Sequence, residues 1–153
     1  MAHTAGAVGD WHSIGDGTGG GQSGYRAAPV RCEHGRVYEM GSGTFEELVG
    51  EELDALPEHI AAAMTNVVVL VEDVPPPDQP EDLLGLYDGV ALTERGAWYA
   101  GVLPDRIVIF RIPTLRICAN RQEVGAQVHI TLVHEIGHHV GMDEQRLTEL
   151  GWS

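Results

Sequence analysis

The clearest hydrophobic pattern lies in the carboxy-terminal third of the chain. Apolar residues recur there at intervals of four, at Val128, Leu132, Ile136 and Val140. This spacing puts them on one face and predicts one long helix over residues 121–140. Gly141 predicts the end of that helix, because glycine readily takes the left-handed conformation of a helix terminus. A last short helix is predicted over about 143–150.

A second helical pattern occupies residues 44–64, TFEELVGEELDALPEHIAAAM. Its apolar positions recur at helical spacing at Phe45, Leu48, Val49, Leu53 and Leu56. Thr44 is followed three residues later by Glu47, which is the sequence of a capping box and predicts that the helix begins at Thr44. Pro57 predicts the start of a second short helix, because proline fits the first helical turn.

Runs of β-branched residues predict strands between these helical regions. Residues 66–73, NVVVLVED, indicate a strand buried on both faces, and residues 106–112, RIVIFRI, indicate a strand ended by Pro113. The segment GVALTE, 89–94, is interpreted as a short strand, and the proline-rich segment 74–85 as a loop. Helices and few strands, without strand–helix alternation, predict an α+β fold.

The long predicted helix also carries the candidate chemistry, in the stretch HEIGHH. His134 and His138 are four residues apart, so they share one helix face and can reach one metal ion at about 2 Å each. Glu135 lies beside them, close enough to touch a water at that metal without being a ligand. His129 and His139 fall on the apolar side and are predicted to pack or to support the site.

The residues after Gly141 offer a third metal ligand. A turn at Gly141 brings the chain back toward the histidine pair, so the carboxylates of Asp143 and Glu144 both become candidates. Asp143 is also suited to be the N-cap of the last helix. The spacing alone leaves both carboxylates open as the third ligand.

The stretch HEIGHHVGMDE, preceded by LLGLYDGVALTERGAWYAGVLPDRIVIFRIPTLRIC, resembles the small bacterial zincin-like metallopeptidases of minimal size, whose motif reads H-E-x-x-H-x-x-G-x-x-D. The resemblance spans about residues 36–152. It implies a small sheet packed against an active-site helix and flanking helices. It also implies one Zn²⁺ held by His134 and His138, with Glu135 as general base. The family's final aspartate falls on Glu144, which makes Glu144 the favoured third ligand and Asp143 the alternative.

This resemblance implies a zinc metallopeptidase that hydrolyses peptide bonds by Glu-assisted attack of a zinc-bound water. A peptide substrate would add to the strand 106–112 if that strand lies at the sheet edge. Tyr87 and Tyr99 are interpreted as hydrogen-bond donors in the core. The alternative function is a binding or regulatory module that a metal stabilises and that catalyses nothing.

Composition and charge limit the partners. The chain has 153 residues and a formal net charge of −14, and residues 41–94 contain 13 acidic and no basic residues. Such a surface repels phosphates, so peptides or proteins are expected as substrates rather than nucleic acid or membrane. Two cysteines and no secretory pattern indicate a cytoplasmic protein. Six glycines within residues 15–24 predict a flexible tail over 1–37 and a single domain over 38–153.

Overall fold

The computed structural model describes residues 22–26, 38–96 and 103–150. These residues form one mixed sheet in the order β1-β3-β4-β2, with helices packed against it, so the predicted α+β class is confirmed. The strands are β1 (Gln22–Tyr25), β2 (Val67–Glu72), β3 (Gly85–Asp88) and β4 (Asp105–Phe110). The helices are α1 (Ser42–Asp54), α2 (Glu58–Ala63), α3 (Arg111–Ile117), α4 (Arg121–His139) and α5 (Glu144–Glu149).

Strand β4 lies inside the sheet, between β3 and β2. It runs antiparallel to β3 and parallel to β2, and all of its residues except Arg106 are buried. The strand predicted over 106–112 is therefore confirmed in place, although it ends at Phe110 because α3 begins at Arg111 and carries Pro113 in its first turn. Since both of its edges are paired, β4 is not the edge strand to which a peptide could add.

Strand β2 confirms the strand predicted over 66–73, but the expected burial on both faces is wrong. Within the described residues β2 pairs with β4 on one side only, so it lies at the edge of the sheet. Its residues are half-buried, and Val68 is exposed. A run of β-branched residues thus also suits an edge strand that is covered on one face.

Strand β3 pairs with β4 on the side opposite to β2. It lies just before the segment 89–94, for which the sequence predicted a short strand. The ladder between β3 and β4 ends at the pair Asp88 and Arg106, one residue from the start of β4. Among the described residues, the segment 89–94 therefore has no strand partner, and its last part, Leu92–Glu94, forms a short 3₁₀ turn. The predicted strand at GVALTE is wrong for this reason.

Strand β1 corrects the prediction of a flexible tail over 1–37. Its residues pair antiparallel with β3, Gln22 opposite Asp88 and Tyr25 opposite Gly85. The Tyr25 carbonyl also accepts a hydrogen bond of 2.7 Å from the Leu84 backbone N–H. A short segment therefore becomes ordered by completing a sheet that the rest of the chain builds. Apart from Arg26, the other residues of the predicted tail lie outside the described ranges.

Helix α1 begins two residues earlier than its sequence indicated. Its N-cap is Gly41, whose carbonyl accepts from the Phe45 N–H at 3.0 Å, and no side chain caps it, so the predicted cap at Thr44 is wrong. Helix α2 follows Pro57 as predicted. Within the described residues, no helix combines the length and apolar character needed to cross a bilayer.

Candidate metal centre

Helix α4 positions the candidate site, and its start is fixed locally. The Asn120 side chain accepts a hydrogen bond of 3.0 Å from the Glu123 N–H, while the Glu123 carboxylate accepts one of 2.7 Å from the Ala119 N–H. Both bonds satisfy donors that helix formation would otherwise leave unpaired. The predicted helix over 121–140 is confirmed. Three residues of its predicted apolar face are buried against the core: Val128, Leu132 and Ile136.

The end of α4 turns the chain back over the helix. Gly141 has φ +90°, its N–H donates to the His138 carbonyl at 3.0 Å, and the Met142 N–H donates to the Gly137 carbonyl at 2.9 Å. This pair of bonds is a Schellman motif. A side chain at Gly141 would be strained by this φ and would also meet Thr93, so glycine is required at the turn.

Helix α5 then packs closely against α4 because Gly137 has no side chain. A Cβ at Gly137 would lie 2.4 Å from a methyl group of Leu147, which is fully buried on α5. This close approach brings the first residue of α5, Glu144, over the histidine pair. The two glycines of HEIGHHVG therefore set the position of the third candidate ligand, one through the turn and one through the packing.

His134, His138 and Glu144 come together at this point and are called the triad below. The Nε2 atoms of the two histidines are 3.1 Å apart, and Glu144 Oε1 lies 3.3 Å from His134 Nε2 and 3.0 Å from His138 Nε2. Both histidines are buried, whereas the Glu144 side chain is 61% exposed. The triad is thus set in the protein with one side open to solvent.

The donor atoms of the triad fit a zinc ion. Ligands about 2.1 Å from a tetrahedral zinc lie roughly 3.4 Å from one another, which is close to the spacing of these three atoms. The His138 Nδ1 is 3.2 Å from the Met142 carbonyl, to which it donates when Nε2 is the unprotonated nitrogen. Burial, and secondarily His134, lower the pKa of His138, which favours the neutral form that binds metal.

Asp143, the alternative third ligand, has another role in the fold. Its carboxylate accepts a hydrogen bond of 2.8 Å from the Arg146 N–H and caps α5. In the described part of the chain, the group of side chains able to hold one metal ion comprises the triad and leaves Asp143 out. The predicted N-cap role is confirmed, and the geometry favours Glu144 as the ligand.

Glu135 is fully buried next to the triad. Its Oε1 accepts a hydrogen bond of 3.0 Å from the Tyr25 backbone N–H, and its Oε2 has no hydrogen-bond partner among the described residues. Burial raises the pKa of Glu135 well above its ordinary value, the Tyr25 N–H opposes that shift, and the charge of Glu144 adds to it. The Tyr87 backbone also lowers the pKa of Glu135 slightly, so the buried carboxylate is held by the backbone of two strands.

A second polar group, called the Asp105 cluster, comprises Tyr87, Arg95, Asp105 and His139. Asp105 Oδ2 accepts from the Tyr87 hydroxyl at 2.7 Å, lies 3.1 Å from His139 Nδ1, and forms an ion pair with Arg95. Asp105 and His139 are buried. The predicted role of Tyr87 as a core donor is confirmed, as is the supporting or packing role of His139. Sequence patterns did not indicate Arg95 or Asp105, since neither belongs to a local motif.

The remaining predicted residues lie apart from both groups. His129 is partly exposed, with Nδ1 3.2 Å from the Glu52 carboxylate, so it contacts α1 and not the site. Tyr99 lies outside the described residues.

The sheet packs on α4, which carries His-Glu-x-x-His, and α5 returns the Glu144 carboxylate to the two histidines, an arrangement that fits the zincin class of proteins. The sequence model of the zincin-like metallopeptidase family matches residues 64–152, more than half of the chain, and the chain belongs to this family. The match contains β2, β3, β4, α4 and α5, and it begins after β1. A comparison with curated proteins gave no match.

Proposed function

We propose that this protein is a zinc-dependent peptidase that hydrolyses peptide bonds in peptides or proteins. His134, His138 and Glu144 hold the zinc, and Glu135 is the general base. The observation that carries the proposal is the triad itself, in which three ligand atoms lie 3.0–3.3 Å apart. Glu135 is buried at the position after His134 on the same helix. Membership of the zincin-like metallopeptidase family supports the same reaction class.

The chemistry divides between the metal and the chain. Zinc, when bound, would supply Lewis-acid polarisation of the scissile carbonyl and would acidify a water molecule. Glu135 takes the proton of the attacking water and gives it to the leaving amine, a transfer that needs a carboxylate oxygen within hydrogen-bond reach of both. The bond from the Tyr25 N–H to Glu135 supports this role, because a backbone amide nitrogen reaches Oε1 at 3.0 Å.

The charge of the chain bears on the substrate class. With a formal net charge of −14, the protein repels polyphosphate chains, and we therefore propose a polypeptide substrate and no nucleic acid. The open side of the triad at Glu144 is the route by which such a substrate would approach.

A second candidate function is a metal-stabilised binding or regulatory module without turnover. The complete burial of Glu135, with Tyr25 hydrogen-bonded to it, favours this function, because a working base must meet water and substrate. The burial of Glu135 also argues against the binding module, because burying a carboxylate costs free energy and such a module would make no use of it.

Glu135→Gln separates the two functions, because it keeps the size of the side chain and removes the base. In a peptide-library cleavage assay at saturating zinc, we expect zinc content to be unchanged and cleavage to fall by roughly 10²–10⁴-fold. Glu149→Gln, which removes an equal charge at the exposed end of α5, is the matched control and should cleave like the wild type. If neither the wild type nor a Tyr25→Asp variant, in which β1 is displaced from Glu135, cleaves a peptide above its metal-free form, the peptidase proposal is wrong and the binding-module function is retained.

A further inference from the structure

Strand β1 comes from a part of the chain far from the site in sequence, yet it lies against the proposed catalytic residues. It extends the sheet beyond β3, with Gly24 opposite Leu86 and Tyr25 opposite Gly85. It also contacts α4, whose residues Glu135 and His134 both touch Tyr25. Residues 22–25 therefore fill a groove whose walls are the edge of β3 and the helix that carries the triad.

Tyr25 makes the closest contacts in this groove. Its backbone N–H donates to Glu135 Oε1 at 3.0 Å, and its ring centroid lies 4.5 Å from that of His134. Only 6% of the Tyr25 surface is exposed. One residue of β1 thus occupies both the hydrogen-bonding position in front of the general base and an apolar position beside a proposed zinc ligand.

These contacts are the ones that an extended peptide substrate would need. Peptides that add to a sheet edge bind through backbone hydrogen bonds and place alternate side chains in pockets. In the proposed function, Glu135 returns a proton to the nitrogen of the leaving amine, and the Tyr25 amide nitrogen stands at hydrogen-bond distance from that carboxylate. With β1 in place, no second peptide segment can take this position on β3.

We propose that β1 is an intramolecular pseudosubstrate. It occupies the peptide-binding groove, covers Glu135, and must leave the edge of β3 before a substrate binds. The substrate class follows from what it replaces: an extended polypeptide with an aromatic residue whose ring packs on His134. This inference rests on the proposed function for the role of Glu135, whereas its binding test does not need turnover.

Two further observations support a strand that detaches from an intact core. The ion pair between Arg26 and Asp82 that follows β1 is exposed on both sides, and such pairs contribute little stability. Within the described part of the chain, β1 pairs with β3 alone.

The test uses a fluorescent synthetic peptide with the sequence of residues 20–28, GGQSGYRAA, and full-length zinc-loaded protein. In the wild type the attached strand competes at an effective concentration on the order of millimolar, so the probe binds weakly. Tyr25→Asp places a carboxylate beside Glu135 and His134 and expels β1. We expect this variant to bind the probe at least ~10-fold more tightly, since the groove is no longer occupied by its own strand.

Arg121→Ala is the matched control, because it changes the net charge by the same amount at an exposed site at the start of α4. It should bind the probe like the wild type. A probe in which tyrosine is replaced by aspartate should bind neither protein. Equal binding of the tyrosine probe to wild type and Tyr25→Asp, or no binding to either, would overturn the proposal.

Hydrogen exchange on the wild type makes the test independent of how the variant folds. Millimolar unlabelled probe should increase the exchange rate of the backbone amides of residues 22–26 at least ~10-fold and leave those of β4 unchanged, because only β1 is displaced. Unchanged exchange in residues 22–26 at that concentration contradicts the pseudosubstrate role. If the probe displaces β1 but no peptide is cleaved, the pseudosubstrate proposal is supported and the proposed peptidase function is wrong. If the wild type and the Tyr25→Asp variant cleave peptides at the same rate, the proposed peptidase function is supported and the pseudosubstrate proposal is wrong.

Discussion

His138 and His139 are adjacent in the sequence but belong to two different polar groups. His138 faces the triad, where two imidazole nitrogens and a carboxylate oxygen converge within 3.0–3.3 Å. His139 faces the Asp105 cluster, where a carboxylate is surrounded by a hydroxyl, a guanidinium group and an imidazole. Both histidines are buried, and in both cases burial lowers the pKa of the imidazole.

The difference between the two groups lies in the balance of donors and acceptors. In the Asp105 cluster, the Arg95 guanidinium and the Tyr87 hydroxyl supply the protons and the positive charge that a buried carboxylate needs. In the triad, two imidazole nitrogens and a carboxylate oxygen converge on one point, and this set of ligand atoms suits a metal cation. Each group contains a buried histidine and a carboxylate, so the balance of donors and acceptors is what distinguishes the structural cluster from the candidate metal site.

The largest expected effect is on zinc affinity, and the two neighbouring histidines are matched variants. His138→Ala removes a ligand and should weaken zinc binding by roughly 100-fold or more. His139→Ala should keep zinc affinity within about threefold and instead lower the free energy of unfolding by about 2–4 kcal/mol, because a buried polar contact is lost and a cavity remains. Zinc titration and chemical denaturation measure both. Equal loss of zinc in the two variants would show that the groups do not differ as described.

Asp105→Asn tests the other side of the comparison. It leaves the Arg95 guanidinium, whose side chain is 12% exposed, without its buried counter-charge, and should lower the free energy of unfolding by about 3 kcal/mol. Asp88→Asn is the control, because the ion pair between Asp88 and Arg106 is half-buried. Its loss should lower the free energy of unfolding by less than about 1 kcal/mol. Zinc affinity should stay unchanged in both. An equal stability loss in the two variants would remove the case for a structural Asp105 cluster.

The third prediction concerns Glu144, the exposed member of the triad. Glu144→Ala should weaken zinc binding by roughly 10–100-fold, less than the loss of a buried histidine, since water can replace an exposed carboxylate. Gln145→Ala, at the next position of α5, should bind zinc like the wild type. Zinc affinity that does not respond to Glu144→Ala would require a different third ligand.

The smallest effect is expected for Asp143, which caps α5. Asp143→Ala should cost about 1 kcal/mol of unfolding free energy through loss of the bond to the Arg146 N–H, with zinc affinity within about threefold of the wild type. Asp143→Asn, which can still cap the helix, should restore the stability. A loss of zinc larger than that of Glu144→Ala would make Asp143 the ligand.

The parts of the site that local sequence could predict are those set by helical geometry. The spacing of His134 and His138, the turn at Gly141 and the cap at Asp143 all depend on residues within one or two turns of each other. The centre of the sheet was also predictable, because β4 contains the β-branched and aromatic run of residues 107–110. The position of Glu144 could be reached only by counting from the motif, since its place depends on the packing of Leu147 against Gly137.

The parts that sequence could not predict depend on distant partners. Strand β1 lies in a glycine-rich segment, and it is ordered by pairing with the edge of β3 and by contacts with α4. The segment 89–94 reads as a strand but has no partner once β4 ends. Asp105 and Arg95 become a cluster because β4, the segment after β3 and α4 meet in space, which no local spacing records.

The most direct test of the central claim is the zinc stoichiometry and ligand environment of the wild-type protein. Titration of the metal-free chain should give one tight site per chain, and X-ray absorption at the zinc edge should show nitrogen and oxygen ligands near 2.0–2.2 Å with two imidazoles. His138→Ala should lose this signal, while His139→Ala should retain it. Absence of a tight site, sulfur ligands near 2.3 Å, or a signal that survives His138→Ala would contradict the account.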